Sequence, residues 1–474
     1  MNNYQKTIGI EVHCELKTKT KMFSDTLNSY EGSENSHING IDLAYPGSLP
    51  LVNLGAVKLA CKAALLLHCT INKTMSFDRK NYFYPDLPKG YQITQARTPI
   101  GVNGYVMIEV EGTLKKIRIH DIHMEEDTAK SIHQVDKSYL DFNRSGVPLI
   151  EIVTEPDMHT EEEAMAYLNK LRELFVYADI SDCKMEEGSM RCDVNVSVSK
   201  NDSLGVRTET KNIGSISSVG KAIKAESIRQ IEVLENGGKI VEETRRFDEK
   251  DERTILMRVK ETGNDYRYFP EPNIPEFTLT DEEIEEVRLT IPKMPDELRE
   301  EYRSLQVNEN NIKTLIQHRD LCSFFEEVKE YDPVMTSNLL TGDVLMYLNK
   351  NNLSFKDIKL TKENMKDIVA KVQKQELSSK QVKQLLPILM EKGGDVSTLM
   401  NELGMVQISD DHVLQQLVDQ VIQENPSSVE DFKNGKDRAV KYLMGQIMKA
   451  SKGQANPVSV NRLLLDTLKR TNLN

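Results

Sequence analysis

Apolar and polar residues alternate along two stretches in the first half of the chain. In IGIEVHCELK, residues 8–17, nearly every second residue is apolar, and MRCDVNVSV, residues 190–198, repeats the pattern. Because successive side chains of a strand point to opposite faces, both stretches are predicted to be strands with one buried face. The turn-forming KNDSLG and the alternating VRTETKN follow, which predicts an antiparallel hairpin that brings Glu209 or its neighbours near Asp193.

Helical patterns separate these strands. Thr160 with Glu163 three residues later has the spacing of a capping box, and it precedes AMAYLNKLRELF, in which apolar residues recur at helical spacing. Another helix is predicted over about residues 219–235, before a glycine pair. Since the strands recur without regular βαβ spacing, the first half is predicted to be an α+β fold with an antiparallel sheet.

The second half of the chain has helical spacing throughout. Strand patterns vanish after about residue 295, and segments such as SKQVKQLLPILMEKGG show helical periodicity ended by glycine. A length of 474 residues, at roughly 150 residues per domain, gives about three domains. We therefore predict domains at residues 1–294, 295–404 and 405–474.

Composition narrows the class of protein. The chain is 39% hydrophobic and 28% charged, which is typical of globular proteins, and it has no apolar run of the roughly 20 residues that would cross a bilayer. The start MNNYQKT lacks a signal-peptide core, so a cytosolic protein with no membrane partner is predicted. The six cysteines form no CxxC pair, which argues against a zinc knuckle and a disulfide framework.

Charge differs between the tail and the rest of the chain. The formal net charge of −13 argues against a protein that coats nucleic acid, yet residues 431–474 hold nine Lys or Arg against three Asp, an excess of six positive charges. Lys449 and Lys452, near a predicted helix end, suit contacts to an RNA phosphate backbone. The alternative is a cationic surface that only keeps the domain soluble.

Carboxylates occur on three predicted strands. Glu11 and His13 share the polar face of the first strand, HDIHMEED at residues 120–127 adds two histidines and four acids, and Glu151 stands among apolar residues in PLIEIV. An unpaired carboxylate is costly to bury, so these strands are candidates to converge on a divalent cation, and mostly oxygen ligands favour magnesium or manganese over zinc. Composition alone favours a solvated strand end for HDIHMEED, and a lone histidine is more often hydrogen-bonded on a sheet.

No loop signature for phosphate is present. GSISSVGKA resembles a P-loop, but it has five residues between its glycines and Ala222 where Ser or Thr must meet magnesium. Phosphates would then need cationic side chains, for which Arg79, Lys80, Arg144 and Lys211 are candidates. Each of them alone is more often part of a surface ion pair.

Several longer motifs occur together in one order. They are IGIEVHCELKTKTKMFS, AYPGSLPLVN, DRKNYFYPDLPKGYQI, HMEEDTAK, NRSGVPLIEIVTEPD, KMEEGSMRCDVNVS, ETRRFDE, DYRYFPEP and GQIMKASKGQANP. In these motifs the chain resembles the B subunits of the tRNA-dependent amidotransferases over nearly its whole length. The resemblance implies a cradle domain similar to the glutamine synthetase and guanido kinase fold, then a helical domain and a YqeY-like tail that grips tRNA.

The resemblance also implies an activity and partners. The family uses ATP and Mg²⁺ to phosphorylate the side-chain carboxylate of Glu-tRNA(Gln) or Asp-tRNA(Asn), and ammonia then displaces the phosphate. The ammonia comes from an amidase, the A subunit of the same complex, and the small C subunit braces the pair.

By the same resemblance, functional roles fall on residues of this chain. The expected ligands of one cation, with catalytic roles, are Glu11, His13, Glu125 or Glu126 or both, and Glu151. Those expected to serve a second cation are Glu186, Asp193 and Glu209, and those expected at the nucleotide phosphates are Arg79, Lys80 and Lys211.

The chain departs from the family pattern at three places, one of which is Thr128 and Ala129, where an Ala-Gly pair is commoner in the family. It has no paired cysteines before PGSLP, so no structural zinc is expected, and it reads KNIGSIS beside Lys211 where the family reads close to KNLNSF. A divergent tRNA-binding scaffold with an impaired kinase site is therefore the alternative function. A free-standing small-molecule ligase is a further alternative, and it predicts activity without the basic tail.

Overall fold

The computed structural model describes residues 4–201, 203–259, 266–405, 410–433, 436, 438–451 and 453–471. The chain divides into two compact units, Met1–Pro295 and Asp296–Asn474. The first unit holds all the strands found in the described residues, and the second is helical.

The first unit is built around one large sheet. Its strands run in the order β14-β13-β12-β11-β1-β10-β7-β6-β2. Three small sheets accompany it, ordered β15-β4-β5, β16-β3 and β8-β9. The strand bounds are β1 Gln5–Glu15, β2 Thr70–Ile71, β3 Thr74–Met75, β4 Asp78–Asn81, β5 Tyr91–Thr94, β6 Gly101–Val110, β7 Thr113–Glu126, β8 Lys130–His133, β9 Ser138–Asp141, β10 Pro148–Thr154, β11 Met190–Ser199, β12 Thr208–Lys211, β13 Glu243–Asp248, β14 Arg253–Val259, β15 Phe269–Pro270 and β16 Phe277–Thr278.

Both predicted strands and the hairpin are confirmed. The alternating stretch at residues 8–17 forms β1 at the middle of the sheet, and residues 190–198 lie in β11 beside it. The next strand, β12, pairs antiparallel with β11 and sets Glu209 opposite Asn195. The apolar face of β1 is buried as its period of two predicts.

One pair of strands departs from the predicted antiparallel sheet. β12 and β13 run parallel, and the chain between them contains a long helix, so this part is a βαβ unit within an otherwise antiparallel sheet. A parallel pair needs such a crossover because a tight turn cannot join its ends. The fold is therefore mixed, with one large sheet and many helices.

Helices of the first unit cover one face of the sheet. Their bounds are α1 Leu54–Leu66, α2 Glu161–Tyr177, α3 Ile216–Glu235 and α4 Asp281–Leu289. Thr160 caps α2 by accepting the backbone N–H of Glu163, as predicted, and the apolar stripe of α2 is buried in the sheet core. The rejected P-loop stretch starts α3 instead, with Ser215 as its N-cap. The opposite face of the sheet carries the polar residues of β1.

The second unit contains the predicted helices. Their bounds are α5 Pro295–Ser304, α6 Glu309–Gln317, α7 Arg319–Val328, α8 Pro333–Asn338, α9 Leu345–Asn351, α10 Lys362–Gln373, α11 Ser379–Lys392, α12 Val396–Glu402, α13 Asp411–Glu424, α14 Pro426–Lys433, α15 Arg438–Ala450 and α16 Pro457–Thr471. A π-helical turn, Leu339–Val344, joins α8 to α9, and a short 3₁₀ turn precedes α10. Helices α13 to α16 enclose a separate apolar core, and Asn456 caps α16 before Pro457, as predicted.

The sequence predicts neither membrane-spanning segments nor a disulfide framework. None of the described helices is both long and apolar enough to cross a membrane. The six cysteines are free thiols, and five of them are buried. The three-domain division of the sequence stays a prediction.

Candidate active site

The polar face of the large sheet gathers acidic residues from neighbouring strands. In the antiparallel ladder, His13 of β1 lies opposite Glu151 of β10, and Glu151 lies opposite His123 of β7. On the other side of β1, Glu11 lies opposite Asp193 of β11. Because directly paired residues project to the same face, this register brings acids far apart in sequence together.

One group, which we call the first cluster, comprises His13, Glu125 and Glu151. Their ligand atoms all lie within 4.8 Å of one another. His13 Nε2 is 3.4 Å from Glu125 Oε1 and 3.5 Å from Glu151 Oε2. Gln92 donates its amide N–H to Glu125 Oε2 at 3.1 Å, which turns one oxygen of that carboxylate away from the histidine.

His123 extends this arrangement on β7. Its Nε2 lies 2.9 Å from Glu151 Oε2, and its Nδ1 lies 2.8 Å from Asp121 Oδ1. The ring is therefore held between two carboxylates, which fixes its orientation beside the first cluster.

The ionisable groups of the first cluster are buried and close together, so burial and neighbouring charges both shift their pKa values. Burial favours the neutral form of Glu151, but the charges of His13 and His123 outweigh it and hold the pKa of Glu151 well below its usual range. Burial also opposes charge on His13, yet Glu151 and Glu125 raise its pKa to about 9. Burial and the charge of Glu151 raise the pKa of Glu125. Nearby positive charge therefore stabilises the carboxylate of Glu151, whereas burial and the charge of Glu151 favour the neutral form of Glu125.

The second cluster comprises Glu11, Asp193 and Glu209. Its ligand atoms also lie within 4.8 Å of one another. Asn195 donates to Glu11 Oε1 at 3.0 Å, and Lys211 donates to Asp193 and lies 3.1 Å from Glu209 Oε1. The structure therefore groups Glu11 with Asp193 and Glu209, although Glu11 lies only two residues before His13 on β1.

The second cluster is also crowded with negative charge. Burial and the charge of Glu151 raise the pKa of Glu11, and the hydrogen bond from Asn195 opposes that rise. Burial alone would lower the pKa of Lys211, but Asp193 and Glu209 raise it. The ammonium of Lys211 is accordingly the countercharge of this cluster.

A cleft of about 730 Å³ opens over these residues. Its lining includes His13, Glu125 and Asp193, together with the cationic side chains of Lys80 and Lys211. A substrate in this cleft would meet members of both clusters at once.

A smaller pocket of about 220 Å³ lies on the same face, toward the start of β1. Glu11 and Asn195 belong to its wall, and Gly9, Val153 and Leu204 give it a mainly apolar lining. The second cluster therefore borders both the cleft and this pocket.

Three residues named from the sequence lie away from the clusters. Glu126 pairs with Lys89 and accepts the backbone N–H of Ile93 at 3.1 Å. Glu186 is exposed in the cleft lining. The guanidinium of Arg79 forms a bidentate ion pair with Glu271, at 2.5 and 3.0 Å.

Other named residues have different surroundings. Lys80, next to Arg79, lines the cleft, where burial would lower its pKa but the charge of Glu125 raises it. Lys449 is exposed in the last turn of α15, and Lys452 lies outside the described residues. Arg144 donates to the backbone carbonyls of Thr128 and Ala129.

Sequence reasoning missed several donors that touch the clusters, among them Asn195 and Gln92. Asn195 lies two residues after Asp193, so the period of β11 already placed both on one face. Gln92 is on β5, which belongs to the small sheet β15-β4-β5 and not to the large sheet. It reaches Glu125 only through tertiary packing. No sequence signal identified it.

The chemistry of the two clusters fits magnesium or manganese. Five carboxylates and one imidazole make up the two sets, and oxygen-rich sets suit Mg²⁺ and Mn²⁺ better than zinc. The cysteine thiols of the chain take no part in either set.

Comparison with known proteins gives matches along nearly the entire chain. A family model described as the GatB/GatE catalytic domain matches residues 6–285. A second model, described as the GatB domain, matches residues 323–468, and this match begins well before the basic tail. The B subunit of the aspartyl/glutamyl-tRNA(Asn/Gln) amidotransferase of Bacillus velezensis is 49% identical over 474 residues, covering 99% of this chain and 100% of the relative. Its counterpart in Bacillus licheniformis is 48% identical with the same coverage, and that of Staphylococcus haemolyticus is 49% identical over 98% of this chain and 99% of the relative.

Proposed function

The chain belongs to the family of amidotransferase B subunits, and from that premise we propose that the polar face of its sheet activates the carboxylate of a tRNA-bound amino acid with ATP. The family forms part of a glutamine-dependent ligase complex that acts in translation, and this chain is its B subunit. The substrates are Glu-tRNA(Gln) or Asp-tRNA(Asn), and the products are Gln-tRNA(Gln) or Asn-tRNA(Asn). The cytoplasm is the proposed location.

One observation carries the proposal: two oxygen-rich clusters lie side by side on one sheet face beneath a single cleft. In phosphoryl transfer to a carboxylate both reactants are negatively charged, and catalysis therefore depends on positioning and on charge stabilisation. Mg²⁺ held by the first and second clusters would supply that stabilisation. The specific likeness to the glutamine synthetase and guanido kinase fold belongs to the same proposal.

The lysines and the amide side chains around the clusters have different proposed roles, which follow from their positions. Lys211, at the second cluster, and Lys80, on the cleft wall, offer ammonium groups to nucleotide phosphates. Asn195 and Gln92 hold one oxygen each of Glu11 and Glu125, so these carboxylates keep a fixed orientation. No covalent nucleophile of the protein is required.

The smaller pocket fits the base of the nucleotide. It is mainly apolar, and it adjoins Glu11 and Asn195 at the second cluster. A base seated there would direct its phosphates over the second cluster and toward the cleft. The aminoacyl group would then enter the cleft from its open side and meet the first cluster.

An exposed apolar surface supports a partner subunit. Tyr45, Leu49 and Leu51, on the segment before α1, and Leu54, the first residue of α1, are between 58% and 65% exposed. The segment is held in place, since the backbone N–H of Leu51 donates to the carbonyl of Phe23 at 2.8 Å. Exposed apolar side chains close together in sequence are typical of protein interfaces, and we assign these to contact with the amidase of the complex, with the small third subunit completing the assembly.

Nothing in the described structure favours the alternative of an impaired scaffold. Each cluster brings three ligand side chains within 4.8 Å of one another, and Lys211 contacts Asp193 and Glu209 although the sequence beside it departs from the family pattern.

A Glu11→Gln variant tests the function. In the reconstituted complex, it should bind aminoacylated tRNA as the unaltered protein does, because Glu11 contributes to the second cluster rather than to the basic tail. ATP hydrolysis that depends on aminoacylated tRNA should fall by roughly 100-fold or more, because one ligand of the proposed cation is lost.

The matched control is Glu187→Gln, which removes an exposed acid of the cleft lining outside both clusters. It should leave ATP hydrolysis unchanged. Equal hydrolysis rates for Glu11→Gln and the unaltered protein would contradict the proposed chemistry and leave the scaffold alternative.

A further inference from the structure

Thr244 lies on β13, the strand next to β12, and contacts the second cluster. In the parallel pairing of β12 with β13, Thr244 lies directly opposite Glu209, and its side chain is buried, with 2% of the residue exposed. The hydroxyl of Thr244 donates to Glu209 Oε2 at 2.8 Å. This hydroxyl does not touch the other two acids of the cluster in any described contact.

The two oxygens of Glu209 therefore have different neighbours. Oε2 accepts from Thr244, whereas Oε1 lies 3.1 Å from the ammonium of Lys211. Lys211 also holds Asp193, so it competes with any cation for both acids. A carboxylate free to rotate would offer both oxygens to Lys211 and lose the orientation that a cation needs.

We propose that Thr244 is a positioning residue that holds Glu209 in the orientation required for a divalent cation at the second cluster. The inference rests on the proposed function, namely on a cation at that cluster. A hydrogen bond to one oxygen of a ligating carboxylate fixes its plane, and loss of such an outer partner typically lowers metal affinity 10- to 100-fold.

Two other threonines nearby provide matched controls. Thr210, next to Glu209 on β12, is buried, and its hydroxyl has no hydrogen-bond partner among the described residues. Thr254 on β14 is buried like Thr244 but donates to Glu226 Oε2 at 2.6 Å, away from the cluster. Replacing either one tests the loss of a threonine hydroxyl without touching Glu209.

The experiment measures Mn²⁺ binding to the full-length chain by isothermal titration calorimetry, with electron paramagnetic resonance counting the bound ions. Thr244→Val keeps the shape of the side chain but removes the donor, and it should weaken one of two Mn²⁺ sites by about tenfold or more. Thr244→Ser should restore the affinity. Thr210→Val and Thr254→Val should bind Mn²⁺ as the unaltered protein does.

Glu209→Gln identifies the site that is affected. If it weakens the same Mn²⁺ site as Thr244→Val, the assignment stands. Unchanged binding in Thr244→Val, while Glu209→Gln loses a site, would overturn the role of Thr244 and leave the proposed function intact. Unaltered protein that binds no Mn²⁺ sensitive to Glu209→Gln would overturn both. An equal loss in Thr254→Val would reduce the role of Thr244 to general support of the sheet edge, which also overturns the inference.

Discussion

Arg79 and Lys80 are consecutive residues of β4, and their side chains lie on opposite sides of the strand. Arg79 turns toward Glu271, whose carboxylate is buried, and stacks its guanidinium 4.0 Å from the ring centroid of Tyr91. Lys80 turns toward the cleft and its acids. The sequence named both as phosphate ligands, but only Lys80 is in a position to meet a nucleotide in the cleft.

Substitution of Arg79 should therefore lower the stability of the fold, whereas substitution of Lys80 should weaken ATP binding. Arg79→Met should lower the free energy of unfolding by about 3 kcal/mol, because the Glu271 carboxylate would stay buried without its guanidinium. Lys80→Met should leave that free energy nearly unchanged and raise KM for ATP roughly tenfold, because a charged hydrogen bond to phosphate is lost. Urea unfolding and the ATP dependence of the assembled complex measure the two effects.

The double variant Arg79→Met with Glu271→Gln is the control for the first effect. It should recover part of the lost stability, since no charge is then left unpaired in the core. A raised KM for ATP in Arg79→Met at unchanged stability would contradict this assignment.

Helix α3 supports the edge of the sheet through one buried carboxylate. Glu226 accepts hydrogen bonds from Thr208 on β12 at 2.7 Å and from Thr254 on β14 at 2.6 Å, and it also pairs with Arg229 on its own helix. β12 has only four residues, yet it carries Glu209 and Lys211. The bond from Thr208 therefore ties β12 to a helix that does not line the cleft.

Glu226 also predicts a dependence of stability on pH. Burial raises its pKa, but hydrogen bonds from Arg229 and Thr254 outweigh burial and hold the pKa below the ordinary value of 4.5. A carboxylate whose pKa is lower in the folded state stabilises the fold above its unfolded pKa, and this contribution is lost as pH falls from 4.5 through the lower pKa of the folded state.

Glu226→Gln measures that contribution. At pH 7 it should lower the free energy of unfolding by about 2 kcal/mol, and the difference from the unaltered protein should shrink as pH falls below 4.5. Urea titrations across this pH range give both values. A difference that stays constant with pH would show that the ionised form of Glu226 is not the stabilising one.

For the whole molecule, we propose that catalytic and RNA-binding chemistry belong to different units. The first unit holds both acidic clusters, and the second ends in the helices α13 to α16 with their own apolar core and many cationic side chains. Some of those cations are engaged, since Arg462 pairs with Asp411 at 2.7 Å. Lys449 is exposed at the end of α15, where it suits contact with a phosphate backbone.

Lys449→Gln should weaken tRNA binding uniformly across substrates and reduce the slope of binding against salt concentration by about 1, as expected for one lost phosphate contact. Filter binding at several salt concentrations measures the slope. Lys392→Gln is the control, because Lys392 is likewise exposed in the last turn of a helix of the same unit. Equal slopes for both variants and the unaltered protein would contradict a phosphate contact at Lys449.

The sequence by itself determined several of the strands and helices and the faces that they bury. The alternation in residues 8–17 predicted a strand with Glu11 and His13 on its polar face, because side-chain direction in a strand depends only on local backbone geometry. The family motifs named the acids of both clusters, and the hairpin that brings Glu209 near Asp193 followed from its turn.

Only the tertiary structure decided how those acids are grouped. Strand register groups Glu11 with Asp193 and Glu209 and His13 with Glu125 and Glu151. Parity along β7 separates Glu125 from Glu126, and the register with β10 places Glu125 on the sheet face that carries Glu151. The donors Gln92 and Thr244 come from other strands, so no local pattern could identify them. Register, parallel pairing and burial arise from contacts between residues distant in sequence, and these contacts exist only once the sheet has formed.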